Sequence, residues 1–378
     1  MKRNGSLLLS RYEAEVAPTD VLDRSDFSPV LQGLYGEVGG IMASVKKLAR
    51  EGVAYAGFRR AAEEEFGDTL WYLAAICRRL YLSLDEVFSE ATDKGKFRSI
   101  GAASDLADGA LAYIAVPVDK GGSLDTALVE LGRAAAALLG RAPERADVVA
   151  FARCYLDAVH AAGLTFSNVA RTNLVKARGA FLDPSAEDLS SLDFDLSYPE
   201  EEQLPRKFQI RVSQRGGDKS YLQWRGVFIG DPLTDNIADR DGYRFHDVFH
   251  FSYAAILHWS PVMRALIKHK RKSDPKCDEE QDGGRAIVVE EGVSAWIFSR
   301  AKELKFFEGQ TKVSLGLLKT VSEFVSGYEV ERCPLKLWER AILDGYAVFR
   351  QLRANNGGWI VGDRRARAIE YKPLEDGV

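Results

Sequence analysis

The sequence is poor in cysteine, methionine and histidine, with four, three and five of these residues among 378. The cysteines are scattered along the chain at Cys77, Cys154, Cys277 and Cys333. They form no CxxC pair and have no disulfide-like spacing, so we expect reduced structural thiols and a cytoplasmic location. No apolar run approaches the length of a membrane-spanning helix, and the run at residues 6–9 is too short for a signal peptide.

A strong net charge is also absent. The 51 Lys and Arg residues nearly balance the 55 Asp and Glu residues, giving a formal net charge of -4. The charge therefore gives no reason to expect nucleic-acid binding. A composition of 46% hydrophobic and 28% charged residues is that of a soluble globular protein, and the length predicts two or three domains.

The spacing of apolar residues predicts a mainly α fold. We predict a helical module at residues 1–100, a second helical module at 101–182, a linker at 183–205, and a C-terminal domain at 206–378 that is mostly helical with a small β-sheet. The linker is predicted from its three prolines and eight acidic residues, which show no sustained period.

Local signals predict several elements in more detail. Ser83 should cap a helix over residues 84–97, with Glu86 as its capping-box partner. A break is expected near Pro334, inside an otherwise helical stretch. In the C-terminal domain we predict strands at residues 208–212, 221–229 and 358–371, and helices at residues 244–272, 285–304 and 313–352.

The first 182 residues contain an internal similarity. Residues 155–159 echo residues 72–76, and residues 164–169 echo residues 82–87. Such a repeat suggests duplication of one helical module, which would let the chain pack as a pseudo-dimer and leaves a homodimer open. The second copy has lost the acidic residues of the first, so we expect it to be a structural half.

Three acidic residues are the first candidates for chemistry. Glu65 and Asp68 are three residues apart on a predicted helix, so their carboxylates lie on one face. Glu37, one helix earlier, could add a third carboxylate. Oxygen ligands at this density favour a hard divalent cation such as Mg²⁺, although a solvated acidic helix face is the common alternative.

The residues around these acids carry a family resemblance. The motif Gly36-Glu37-Val38-Gly39 is followed by Lys46-Lys47 and then by residues 64–73, which read Glu-Glu-Phe-Gly-Asp-Thr-Leu-Trp-Tyr-Leu. This order and spacing resemble those of the MazG-like, all-α nucleoside triphosphate pyrophosphohydrolases. The resemblance covers residues 7–97 and extends more weakly through the second copy to residue 181.

The resemblance implies hydrolysis between the α and β phosphates of a nucleoside triphosphate, with Mg²⁺ held by acidic side chains of two helices. Glu37, Glu65 and Asp68 match metal ligands of the family. Glu64 matches the acidic residue that commonly precedes the second pair. The fourth family ligand would stand at position 40, where this chain has Gly40. Either water fills that position, Glu64 replaces the missing carboxylate, or the site binds nucleotide without turning it over.

Basic and amide side chains are candidates for binding the nucleotide. Lys46, Lys47 and Lys94 could hold the departing pyrophosphate. In the family an Asn-x-x-Lys motif on the last helix touches the nucleotide, and the better match here is Asn173 with Lys176 in the second copy. We therefore predict a composite site, with the acids from the first copy and these two residues from the second.

The C-terminal domain has a separate candidate site around His246 and His250, which are four residues apart and would share one face of a helix. Nearby carboxylates supply candidates for a further ligand, Glu290 and Glu291, and for an orienting partner, Asp241 or Asp247. The cluster could bind a second divalent metal. Alternatively, the histidines are hydrogen-bonded in a polar core or bind phosphate. We identify no family for this half.

Three functions follow from these sites. The leading one is a Mg²⁺-dependent nucleotide pyrophosphohydrolase. The second is a nucleotide-binding regulatory protein whose MazG-like half is inactive because of Gly40. The third is a metal-dependent hydrolase in the C-terminal domain, with the MazG-like half used for assembly.

Overall fold

The computed structural model describes residues 9–92, 123–215 and 218–374, and the backbone alone of residues 97–99 and 113–115. The chain divides into two compact units, Met1–Leu182 and Asp183–Val378. The prediction of a mainly α fold with a small sheet is confirmed. None of the helices in the described ranges is both long enough and apolar enough to cross a membrane.

The first unit is built from helices. These are α1 Leu9–Val16, α2 Ser28–Glu51, α3 Phe58–Arg79, α4 Leu84–Ala91, α5 Leu124–Ala137, α6 Arg145–Ala161 and α7 Phe166–Phe181. Two short strands, β1 Phe97–Ser99 and β2 Tyr113–Ala115, pair antiparallel. The apolar faces of α2 and α3 contribute Leu34, Val38 and Leu70 to one shared core, which fixes the rotation of each helix about its axis.

The predicted capping box of α4 is confirmed. The Glu86 amide donates to Ser83 Oγ at 3.2 Å, and the Ser83 amide donates to Glu86 Oε2 at 3.3 Å. The helix is shorter than predicted, because it ends at Ala91. At this end the Thr92 hydroxyl donates to the Phe88 carbonyl at 2.8 Å and so satisfies a carbonyl that a longer helix would have used.

The second unit combines an antiparallel sheet with helices. Its strands are β3 Lys207–Arg215, β4 Lys219–Trp224, β5 Val227–Leu233, β6 Gly357–Asp363 and β7 Ala368–Lys372, in the order β5-β4-β3-β6-β7. Its helices are α8 Ala186–Ser190, α9 Asp247–Ile256, α10 Pro261–Ile267, α11 Pro275–Glu280, α12 Gly284–Ala301, α13 Leu315–Phe324 and α14 Leu335–Asn355. Every residue of α9 is buried, so this helix runs through the core of the unit.

Three predicted elements of this unit are each divided in two. The strand predicted at residues 221–229 is interrupted by a hairpin turn, where Arg225 and Gly226 both have positive φ. The strand predicted at residues 358–371 is the hairpin of β6 and β7. The helix predicted at residues 244–272 is interrupted between α9 and α10, while the expected break at Pro334 does precede α14.

Residues 183–205, for which a linker is predicted, lie within the second unit. Leu192 and Leu204 are part of its hydrophobic core. Asp195 is fully buried, where it accepts hydrogen bonds from Arg264 at 2.6 Å and Arg364 at 2.8 Å. An acidic, proline-containing composition usually marks solvated chain, but here two buried guanidinium groups compensate the charge of one of the acids.

Candidate functional site

The first candidate site lies where α2 and α3 pack together. Glu37 is on α2, and Glu65 and Asp68 are one turn apart on α3. All three residues are half-buried. The side chains of Glu37 and Glu65 share a hydrogen bond, and the charge of Asp68 acts on Glu37. The structure therefore brings together the three carboxylates that the sequence predicts as metal ligands.

This crowding changes the acidity of Glu37. Burial, the Asp68 charge and the hydrogen bond to Glu65 together raise the pKa of Glu37 to about 8. Glu37 therefore holds a proton at neutral pH, which lets its carboxyl group donate a hydrogen bond to Glu65. The shared proton partly relieves the repulsion between carboxylates that stand close together without a cation.

Gly40 decides where the Glu65 carboxylate lies. Gly40 follows Glu37 by three residues on α2, on the same side of the helix. A Cβ atom at position 40 would lie 2.2 Å from Glu65 Oε2. The missing side chain thus leaves the space that the Glu65 carboxylate occupies.

The basic and amide residues predicted from the second copy are at Asp68. The Asn173 side-chain amide donates to Asp68 Oδ1 at 3.0 Å, and the Lys176 ammonium donates to the other oxygen of Asp68. The Lys176 ammonium also lies 2.8 Å from Glu64 Oε1. Burial favours the neutral amine, but the two carboxylates outweigh it and raise the pKa of Lys176 above its usual range. Lys176 is therefore a charged counter-ion of this acidic centre.

Two further features hold Asn173 in place. The Tyr12 hydroxyl donates to Asn173 Oδ1 at 2.7 Å, which directs the amide nitrogen towards Asp68. A Cβ atom at Gly67 would lie 2.8 Å from the Cβ of Asn173, so the glycine permits the close approach of α7 to α3. Motif comparison does not identify Tyr12. The spacing of apolar residues predicts only that its side chain faces inward from α1.

The other predicted lysines are in different positions. Lys46 and Lys47 are exposed near the C-terminal end of α2, about 14 Å along the helix axis from Glu37 at 1.5 Å per residue. The Lys47 ammonium lies 4.3 Å from the centre of the Tyr55 ring. Lys94 lies outside the described residues.

The second candidate site lies in the second unit, at the start of α9. Ligand atoms of His246, Asp247 and His250 all lie within 4.8 Å of one another, and the three residues are buried. Oε2 of Glu291, on α12, lies 3.7 Å from His246 Nε2 and 3.4 Å from His250 Nε2. Burial raises the pKa of Asp247. The structure thus joins both predicted histidines to two carboxylates.

Glu290 and Glu291 have different environments although they are neighbours on α12. Glu290 is fully buried and accepts hydrogen bonds from His250 Nδ1 at 2.9 Å, the Ser260 hydroxyl at 2.7 Å and the Val262 amide at 2.8 Å. Glu291 is partly exposed and faces the Nε2 atoms of both histidines. Glu290 therefore orients His250, whereas Glu291 is placed where a metal ligand would be.

The charges in this cluster are strongly coupled. Burial alone would lower the pKa of His250, but Glu290 and Glu291 outweigh it and raise the pKa to about 10. Burial would likewise raise the pKa of Glu291, but the close approach and the charges of His246 and His250 hold it well below its usual range. The cluster therefore favours a positive charge between its carboxylates.

Sequence reasoning missed two supporting residues and misjudged a third. Ser260 caps α10, accepting from the Met263 amide at 2.9 Å, and a serine followed by proline in the first turn of a helix is a signal that could have revealed it. Tyr243 stacks on the His246 ring with centroids 4.3 Å apart, for which the sequence has no evident signal. Asp241, a predicted orienting partner, instead forms an ion pair with Lys302.

Comparisons with known proteins agree with part of these interpretations. Searches of curated proteins and of solved structures gave no match. The family model described as the MazG C-terminal domain matches residues 190–375. The half for which the sequence motifs identify no family is therefore the half that matches one. The match covers almost half of the chain and supports a relation of this chain to the MazG-like proteins.

Proposed function

We propose that the chain is a nucleotide pyrophosphohydrolase that hydrolyses nucleoside triphosphates to monophosphates and pyrophosphate, using Mg²⁺. The observation that carries this proposal is the convergence of Glu37, Glu65 and Asp68 from two helices. The match of residues 190–375 to a domain of MazG proteins is independent support for a nucleotide hydrolase.

The donor set fits a hard divalent cation. Burial, the Asp68 charge and the hydrogen bond with Glu65 raise the pKa of Glu37, as expected where carboxylates crowd together without a cation between them. Carboxylate oxygens are the donors that Mg²⁺ prefers. Mg²⁺ bound by Glu37, Glu65 and Asp68 would neutralise charge that develops on the leaving pyrophosphate.

The residues of α7 support this site in two ways. Asn173 and Lys176 fix the orientation of the Asp68 carboxylate through its two oxygens. Lys176 also holds Glu64, so that Glu64 is an ion-pair partner beside the site. We expect the Lys176 ammonium, which lies at Asp68, to contact anionic oxygens of a bound triphosphate, and Lys46 and Lys47 remain candidates for the pyrophosphate end.

The position of Glu65 favours catalysis over nucleotide binding without turnover. The rival function rests on the absence of a fourth carboxylate at Gly40. Because the Glu65 carboxylate occupies the space beside Gly40, three carboxylates converge without a side chain at that position. Gly40 is therefore compatible with a site in which the Glu65 carboxylate takes the space of the missing fourth side chain.

The test is pyrophosphate release by the full chain from a panel of ribo- and deoxyribonucleoside triphosphates with Mg²⁺. Glu65→Gln should lower kcat/KM by roughly 100-fold or more, since loss of a metal ligand removes several kcal/mol of charge stabilisation. Glu63→Gln is the matched control, because Glu63 lies on the same helix and pairs with Arg59 at 3.3 Å.

Three outcomes are informative. Turnover that requires Glu65 and survives in the Glu63 variant supports the proposal. Tight nucleotide binding without pyrophosphate release in the wild type overturns it in favour of the regulatory function. Turnover that is unaffected by Glu65→Gln overturns the assignment of the site.

A further inference from the structure

The cluster at the start of α9 contains a feature that a polar core does not explain. His250 is fully buried, and its Nε2 atom has no hydrogen-bond partner among the residues that the structure describes. Glu291 Oε2 lies 3.4 Å from this atom, at ion-pair distance but without the geometry of a hydrogen bond. A buried polar atom left without a partner costs about 1–3 kcal/mol. Such an atom is rare enough in native proteins to require a specific explanation.

The hydrogen bonds of both rings determine which nitrogens can bind a ligand. His246 Nδ1 lies 2.9 Å from the Tyr243 carbonyl, which can only accept, so Nδ1 of His246 carries the proton. His250 Nδ1 lies 2.9 Å from Glu290 Oε1, a carboxylate oxygen that accepts in the same way. In the neutral tautomers the lone pairs are therefore on the two Nε2 atoms, which both face Glu291.

The residues that surround His246 and His250 hold both rings in fixed orientations. Glu290 Oε1 accepts hydrogen bonds from His250 Nδ1 and the Ser260 hydroxyl, and Oε2 accepts one from the Val262 amide. Tyr243 stacks parallel to the His246 ring with an interplanar angle of 6°. A histidine that binds a metal almost always donates its other ring nitrogen to a carboxylate or a backbone carbonyl. His250 donates to the Glu290 carboxylate, and His246 donates to the Tyr243 carbonyl.

The ligand atoms also have suitable spacing and access. Atoms of His246, Asp247 and His250 lie within 4.8 Å of one another, so one ion could contact all three. The Glu291 side chain is 41% exposed while that of His250 is fully buried, so the cluster has a solvent-facing side at Glu291. An ion could enter there, and a water molecule or another ligand could complete its coordination.

We propose that His246, Asp247, His250 and Glu291 form a binding site for a divalent first-row transition metal ion, with Glu290 as the residue that positions His250. Two imidazoles with two carboxylates favour Zn²⁺, Fe²⁺, Mn²⁺ or Ni²⁺ over Mg²⁺, which prefers oxygen donors alone. This site is separate from the Mg²⁺ site proposed on α2 and α3, and neither requires the other.

The test uses the full chain, stripped with a chelator and then held in excess Mg²⁺ to saturate oxygen-only sites. Co²⁺ is titrated as the probe, with its visible d–d absorption and the bound metal per chain as readouts. The wild type should bind about one equivalent of Co²⁺ and release it to Zn²⁺. His246→Ala and Glu291→Gln should each weaken Co²⁺ binding at least tenfold, and Glu290→Gln about 10–100-fold.

Controls separate this site from adventitious binding and from loss of folding. His160→Ala removes an exposed histidine of the first unit and should leave the titration unchanged. Circular dichroism checks the fold of each variant, and if His246→Ala is unfolded, Glu291→Gln decides because its side chain lies at the rim. Absence of Co²⁺ binding in the wild type, or equal affinity in the His160 and Glu291 variants, overturns the proposal. Neither result affects the nucleotide hydrolysis assay.

Discussion

The two units concentrate acidic side chains in different ways. In the first unit, Glu37, Glu65 and Asp68 are half-buried, Lys176 donates to Asp68, and Glu37 shares a hydrogen bond with Glu65. In the second unit, Glu290 is fully buried and is held by three fixed donors. The first arrangement depends on a counter-charge that the proposed Mg²⁺ could replace, whereas the second is held by hydrogen bonds that need no ligand. This difference predicts where each unit is sensitive to mutation.

The largest effect is expected at Glu290. Glu290→Ala would leave His250 Nδ1, the Ser260 hydroxyl and the Val262 amide without their shared acceptor in a buried site. The free energy of unfolding of the second unit should fall by about 3–5 kcal/mol. Denaturant unfolding in EDTA measures this value. Glu291→Ala, on the exposed rim, is the control and should cost about 1 kcal/mol or less. Equal losses would contradict the division of roles.

A smaller effect is expected at Lys176. Lys176→Met keeps the aliphatic stem but leaves the carboxylates of Asp68 and Glu64 without their common cation. The side chains are only partly buried, so the loss in unfolding free energy should be about 2 kcal/mol in EDTA. Lys46→Met, at an exposed position of α2, should change it by less than about 0.5 kcal/mol. If the two variants are equally stable, Lys176 is not the counter-ion of the site.

The pH dependence of the metal-free protein tests the shared proton. Glu37 has a pKa of about 8 in the folded chain against 4.5 as its usual value. Between these values the folded state keeps a proton that the unfolded state has lost, so stability falls as pH rises through this window. We expect a contribution on the order of 1–2 kcal/mol after allowance for solvent screening. Urea unfolding at several pH values should show a flatter profile for Glu37→Gln, and an unchanged slope would refute the shared proton.

The smallest effect compares two adjacent glycines of α2. A Cβ atom at Gly39 meets nothing within 4 Å, whereas one at Gly40 would collide with Glu65 Oε2. Gly39→Ala should therefore raise the free energy of unfolding by about 0.5–1 kcal/mol through helix propensity. Gly40→Ala should gain less and should weaken Mg²⁺ binding, as measured by thermal shift in a Mg²⁺ titration. Equal gains with unchanged Mg²⁺ response would show that Gly40 does not control the position of the Glu65 carboxylate.

Much of the fold was predictable because its signals are local. The capping box of Ser83 and Glu86 and the break at Pro334 depend on neighbouring residues, and both are found. The hairpin turn at Arg225 and Gly226 was missed because this pair is not among the common two-residue turn sequences. The linker prediction failed to anticipate burial because the partners of Asp195 are 69 and 169 residues away in the sequence.

The sequence predicts which residues belong to each candidate site, but it does not predict the role of each residue. Glu290 and Glu291 are equivalent by sequence, and only the rotation of α12 about its axis separates the buried carboxylate from the exposed one. The meeting of Asp68 with Asn173 and Lys176 came from a family resemblance, since no local pattern indicates a contact across more than a hundred residues. The position of the Glu65 carboxylate over Gly40 could not be predicted, because it depends on how the side chains of α2 and α3 pack against each other.

The hydrogen bond between Asp68 and Asn173 has a consequence for how the chain is made. The two residues are 105 positions apart. At a translation rate of about 5–20 residues per second, α7 is synthesised roughly 5–20 s after the acidic helix α3. During that interval Asp68 has neither the Asn173 amide nor the Lys176 ammonium as a partner. The acidic centre is therefore completed late in the synthesis of the first unit, when α7 docks.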